Sequence, residues 1–173
     1  MNSRHKLREL AMTSLYQHFL LQKDIKECVY DNSETNEIDP FLYTVTIDAI
    51  RYQDVYIDKI NAALRQDWTF ARLGFVEQAI LMMAACELDL ETAPKAIVID
   101  EAVTLAKKYC DDETYRLING VLDRLRVRMF IVYPRWYTIS SRRWTMISVS
   151  SPFSSRGKSA ILQITAADTG ILP

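Results

Sequence analysis

Glycine, histidine and cysteine are all scarce in this chain, and each scarcity excludes a class of chemistry. Four glycines, Gly74, Gly120, Gly157 and Gly170, are spread over 173 residues. No two could form GxGxxG or a P-loop, so a nucleotide-phosphate cradle built on bare backbone is excluded. The two histidines, His5 and His18, stand 13 residues apart with no cysteine or carboxylate at ligand spacing, so no metal site is expected. Cys28, Cys86 and Cys110 form no CxxC pair and read as reduced thiols packed as small apolar groups. No nucleophile–base pair stands out. Asp100 and Glu101 look like a carboxylate pair, but adjacent helical residues diverge by about 100° and cannot share one substrate; Glu101 is expected to pair with a neighbouring helix instead. The sequence therefore supports neither an enzyme nor a bound cofactor. The longest apolar run, Ala79 to Cys86, is far too short to cross a bilayer. Nothing at the N-terminus resembles a signal peptide, and a cytoplasmic protein without membrane contact is expected.

The formal net charge of −1 conceals an asymmetry. Residues 1–127 hold 15 Lys/Arg against 21 Asp/Glu, whereas residues 128–173 hold six Lys/Arg and one acid, Asp168. An acidic body cannot grip nucleic acid over its whole surface, so any such site must be a local basic patch.

Helical periodicity runs through the body. Ser3 is placed to cap a first helix reaching about Gln22, in which Leu7, Leu10, Ala11, Ser14, Leu15, His18 and Leu21 share one arc. His18 then reads as a satisfied core histidine, and Tyr16 is an aromatic on the polar arc. A short amphipathic piece follows from Asp24 to about Tyr30, then a polar loop over 31–37. Asp39-Pro40 is a helix start, because proline is pre-organised for the first helical position. Leu42, Val45, Ala49, Tyr52, Tyr56, Ile60 and Ala63 continue as one seam with a break near Gln53. Trp68 to Gly74 is a joint; Val76, Ile80, Met83, Ala84 and Leu88 mark the next helix. From Pro94, Val98, Ala102, Leu105 and Tyr109 form one apolar row and Ile99, Val103 and Ala106 a second, so this helix is read as the organising one. Asp111 or Asp112 is placed to cap a last helix striped by Ile118, Val121, Leu122 and Leu125. Gly120 inside it costs about 1 kcal/mol relative to alanine, which suggests the close approach of another backbone. The expectation is an all-α body of six or seven helices in two groups, 1–66 and 72–126. After Arg126 the texture changes to Ser, Thr, Trp and Arg without a helical stripe. The division is therefore read as a helical domain over 1–127 and an extension of foreign composition over 128–173, expected to be disordered; the alternative is a basic arm that helps hold RNA.

The first turns of helix 1 carry Arg4, His5, Lys6 and Arg8. Cations at a helix N-terminus oppose the macrodipole by roughly 0.3–1 kcal/mol each. Such a cluster is either a solvated helix end or a place where phosphates sit. Tyr16 fits a stacking platform for an unpaired base.

Leu73-Gly-Phe-Val-Glu-Gln-Ala-Ile-Leu81, Ile99-Asp-Glu-Ala102, Leu105-Ala-Lys107 and Asn119-Gly-Val-Leu-Asp123 resemble, in order and spacing, the NusB family of transcription antitermination factors. Arg4 to Tyr16 is similar to that family's basic first helix, and the likeness covers about residues 3–126. The resemblance implies a NusB-like bundle that binds the single-stranded boxA element of ribosomal-RNA leader transcripts together with NusE, a small-subunit ribosomal protein, within the transcription elongation complex. It implies RNA contacts by Arg4, Lys6, Arg8 and Tyr16, and by Arg116 and Leu117, which stand where the family has a Lys-Phe pair. Glu77 matches a position at the NusE interface. Met82 stands where the family usually has arginine, Cys86 where an aromatic is common, and Leu117 cannot stack as phenylalanine would. Two other readings stay open: the NusB-like domain of an RNA cytosine methyltransferase, whose Gly-rich catalytic domain 128–173 could not supply, and a helical protein-interaction module without RNA binding.

Overall fold

The computed structural model describes residues 3–33, 37–111 and 113–125. These form seven α-helices and one short 3-10 turn, with no strand among the described residues. The expectations for 128–173 lie outside them.

Each boundary has a local cause. Helix α1 (Arg4–Leu21) starts where Ser3 Oγ accepts the Lys6 N–H at 3.2 Å, and ends where Gln22 turns left-handed at φ 53°. Helix α2 (Ile25–Asn32) is capped by Asp24 and runs two residues into the stretch read as loop. Asn32 holds that last turn, donating to Cys28 O and Gln17 Oε1, both at 2.8 Å. Helix α3 (Pro40–Arg51) has the expected Asp39 cap and proline start; Tyr52 separates it from α4 (Gln53–Ala63), so the seam does break there. A 3-10 turn (Phe70–Arg72) leads into α5 (Phe75–Asp89), then α6 (Lys95–Tyr109) and α7 (Thr114–Arg124). The cap of α7 differs from expectation: Glu113 occupies the position without a side-chain hydrogen bond, and Asp111 serves through its carbonyl, which accepts the Thr114 N–H at 3.0 Å.

The organising helix is α5, not α6. Every residue from Gln78 to Leu88 is buried, because α5 packs against α1, α3 and α4 on one side and α6 and α7 on the other. A helix buried on every side, with its polar Gln78 and Glu87 paired inside, belongs at the centre. Two apolar rows on α6 pointed the same way, but Tyr109 is exposed and Ile99 and Val103 are half-buried. The two expected helix groups thus meet on α5, where Met82 and Cys86 are fully buried. All three cysteines are free thiols; burial pushes Cys28 and Cys86 up and Cys110 up to about 11, so none is poised as a thiolate. His18 is half-buried, with Nδ1 2.6 Å from Lys23 O. Gly120 does not admit a second backbone: a Cβ there would meet nothing nearer than Arg124 Nη2 at 3.5 Å.

Candidate nucleic-acid interface

The N-terminal turns of α1 lie beside the C-terminal end of α6, and Glu9 joins them. Its Oε2 lies 3.2 Å from Lys6 Nζ, and its Oε1 accepts from Lys108 Nζ at 2.6 Å and from the Tyr109 hydroxyl. The Lys108 and Tyr109 hydrogen bonds, with Lys6 beside them, hold the Glu9 carboxyl down at about 2. Two ammonium groups therefore share one carboxylate, which leaves a positive surplus. One residue before Lys108, the Lys107 ammonium stands 5.1 Å from the Tyr115 ring centroid. The Arg116 guanidinium stands 5.7 Å from the same ring, donates to its hydroxyl at 3.2 Å, and pairs with Glu113 at 2.9 Å. Cations and aromatic rings thus follow one another from α1 across the end of α6 to the start of α7.

Of the six residues expected at an RNA surface, Lys6 joins this seam directly and Arg116 extends it. Arg4 is exposed at the start of α1, its guanidinium 4.5 Å from the Phe41 ring centroid. Arg8 is a correction. Its side chain is 5% exposed, and Nε and Nη2 donate to the two oxygens of the fully buried Glu87 at 2.8 and 2.6 Å. Glu87 also accepts from Thr92 Oγ1 at 3.0 Å, and Glu101 stands 3.8 Å from Arg8 while pairing with His5 at 2.8 Å. Arg8 is held inside by a bidentate ion pair and is not available to a phosphate. The buried arc of α1 takes in Arg8 and Met12 beside the expected Leu7, Ala11, Ser14 and Leu15. Glu101 pairs with α1 as expected.

Tyr16 is half-buried and packs against the core, so its ring has a structural reason to be there besides any base. Leu117 is also half-buried, at the edge of a cleft that Arg116 shares. Glu77 is half-buried at the first turn of α5, its carboxylate folded back over Gly74 where a Cβ would sit. Sequence reasoning missed Lys107, Lys108, Tyr109 and Tyr115. Tyr109 had been counted with an apolar row, and the signal that could have found it is the Lys-Lys-Tyr run closing α6.

The NusB family profile matches residues 5–126. The chain belongs to the NusB family. Among its relatives, the transcription antitermination protein NusB of Exiguobacterium is 38% identical over 126 residues, covering 70% of this chain and 95% of that protein. NusB of Geobacillus kaustophilus is 32% identical over 127 residues, covering 73% and 97%. Among solved structures, a chain from the complex of antitermination factors NusB and NusE with double-stranded RNA has a TM-score of 0.63 at 25% identity, covering 70% of this chain and 94% of its own. Thermotoga maritima NusB has a TM-score of 0.62 at 27% identity, over 72% and 90%. Membership places the chain among transcription antitermination factors. The match spans nearly the whole length of these relatives. No helix among the described residues is long and apolar enough to cross a membrane.

Proposed function

We propose that this chain binds a boxA-type single-stranded segment of ribosomal-RNA leader transcripts together with NusE, and that the pair joins the transcription elongation complex. The observation that carries the reading is the Lys6–Glu9–Lys108 junction, continued by Lys107, Tyr115 and Arg116. It is a cationic and aromatic strip on an otherwise acidic body, the combination by which unpaired RNA is held: phosphates on ammonium and guanidinium groups, bases on rings. Its ion pairs are partly exposed, and exposed pairs contribute only about 0–1 kcal/mol, so phosphates can compete for the cations. The solved complex of NusB and NusE with double-stranded RNA supports RNA and NusE as classes of partner; the single-stranded boxA target is the finer part of the proposal. Arg4, beside Phe41, and Tyr16, further along α1, are assigned to the RNA side, and Glu77, at the start of α5, to the NusE side.

The test is a fluorescence-anisotropy titration of a boxA RNA and a scrambled RNA, with and without NusE. Binding that favours boxA and tightens when NusE is present is expected. Equal affinity for both RNAs would contradict base recognition. No binding to either would leave the chain a helical protein-interaction module.

A further inference from the structure

We propose that the cleft between the segment after α4 and the outer side of α7 is a second RNA subsite, in which a base lies against Trp68 and phosphates are held by Arg65 and Arg124. This rests on the RNA-binding reading above and extends the strand beyond the α1–α6 strip.

The cleft has a volume of about 670 Å³, within the range of small-ligand sites. Leu64, Arg65 and Trp68 form one wall, and Arg116, Leu117 and Gly120 the other. Trp68 is 43% exposed, a large apolar ring left at the surface of a joint whose neighbour Phe70 goes into the core. Arg72 stands 5.7 Å from its ring centroid, so the ring already carries a cation. Gly120 has no side chain, and Arg124 folds over it, Nε donating to Gly120 O at 2.8 Å and Nη2 lying 3.5 Å from where a Cβ would begin, which places this guanidinium in the lining of the cleft.

Charge selects the occupant. Arg65, Arg116 and Arg124 line the cleft against Glu113 and Asp123, a positive surplus where the body as a whole is acidic. Arg65 is exposed, and its side chain enters no hydrogen bond or ion pair among the described residues. Arg116 and Glu113 are 66% and 81% exposed, a pair too weak to hold the guanidinium from a phosphate. The 128–173 extension is itself basic and has the wrong sign for this surface. An aromatic ring among arginines is the pattern of a single-strand groove. Arg116 also belongs to the strip and lines the cleft, so a strand leaving Tyr115 meets the same guanidinium at the cleft's entrance, beside Glu113.

The test uses the full chain carrying Trp136→Phe and Trp144→Phe, which leaves Trp68 as the sole tryptophan. The probe is a single-stranded oligoribonucleotide of about a dozen bases containing boxA, followed by anisotropy and by Trp68 emission. Trp68 emission is expected to fall in parallel with the anisotropy change. In the same background, Arg65→Gln with Arg124→Gln is expected to weaken binding on the order of tenfold near 0.1 M salt and to make the salt slope shallower by about 1.4. Full binding by anisotropy with unchanged Trp68 emission overturns the subsite and leaves the strip intact. Unchanged affinity in the double arginine variant overturns it as well. An absence of any anisotropy change in the parent protein removes the RNA-binding reading, and the subsite with it.

Discussion

The two sides of the first turns of α1 carry the same kinds of residue and do opposite things with them. On the inner side Arg8 meets Glu87 in a desolvated, bidentate pair, with Glu101 and Thr92 closing the ring around it. On the outer side Lys6 and Lys108 share Glu9 at the surface, with Tyr109 beside them. Both are cation–carboxylate contacts made by α1 to a neighbouring helix. The inner one fixes where α1 sits on α5. The outer one leaves charge available to a polyanion. A basic cluster read along the chain is therefore two populations, and burial of the cation separates them: Arg8 is 5% exposed, Lys6 44% and Lys108 55%.

The largest expected effect comes from breaking the inner pair. Arg8→Gln leaves Glu87 buried without its counter-charge and should cost about 3–5 kcal/mol in urea denaturation. Removing Glu87 as well, by Glu87→Gln, should recover much of that loss. A cost below about 1 kcal/mol for the single variant would return Arg8 to the solvent-facing set and abolish the distinction.

A smaller effect tests whether Tyr16 belongs with the outer side. Because the ring packs partly on the core, truncation to alanine would mix two losses. Tyr16→Leu keeps an apolar side chain of similar reach and removes the stacking surface. Stability should change by less than about 1.5 kcal/mol, while RNA affinity should fall roughly 5- to 150-fold, the value of one base–aromatic stack. A drop in melting temperature with unchanged RNA affinity would make Tyr16 a core residue alone.

Much of the fold was legible in the chain because its signals are local. The Ser3 cap, the Asp39-Pro40 start and the break near Gln53 each act within a few residues of themselves. The primacy of α5 was harder to read. Gln78 and Glu87 are polar letters in a helix that is buried throughout, one donating to Leu73 O at 2.8 Å and the other holding Arg8. Partners 79 residues apart, as Arg8 and Glu87 are, leave no periodic trace. Gly120 illustrates the same limit from the other side: a costly residue signals that something is being accommodated, but open space and close packing look alike in one letter. At the candidate site, Lys6 was legible as charge in the first turns of a helix, and Arg116 through the resemblance to the family's Lys-Phe pair. Lys108 and Tyr109 were not, because what unites them is Glu9, on a helix almost 100 residues away.

The central claim is that the outer side of α1, with the end of α6, carries the charge that holds RNA. The most direct measurement is the salt dependence of boxA RNA binding by Lys6→Gln with Lys108→Gln. Two lost phosphate contacts should make the slope of log K against log salt shallower by about 1.4, at a cost in stability of no more than about 1 kcal/mol. A slope identical to that of the parent protein would contradict the account and place the phosphate contacts elsewhere on the chain.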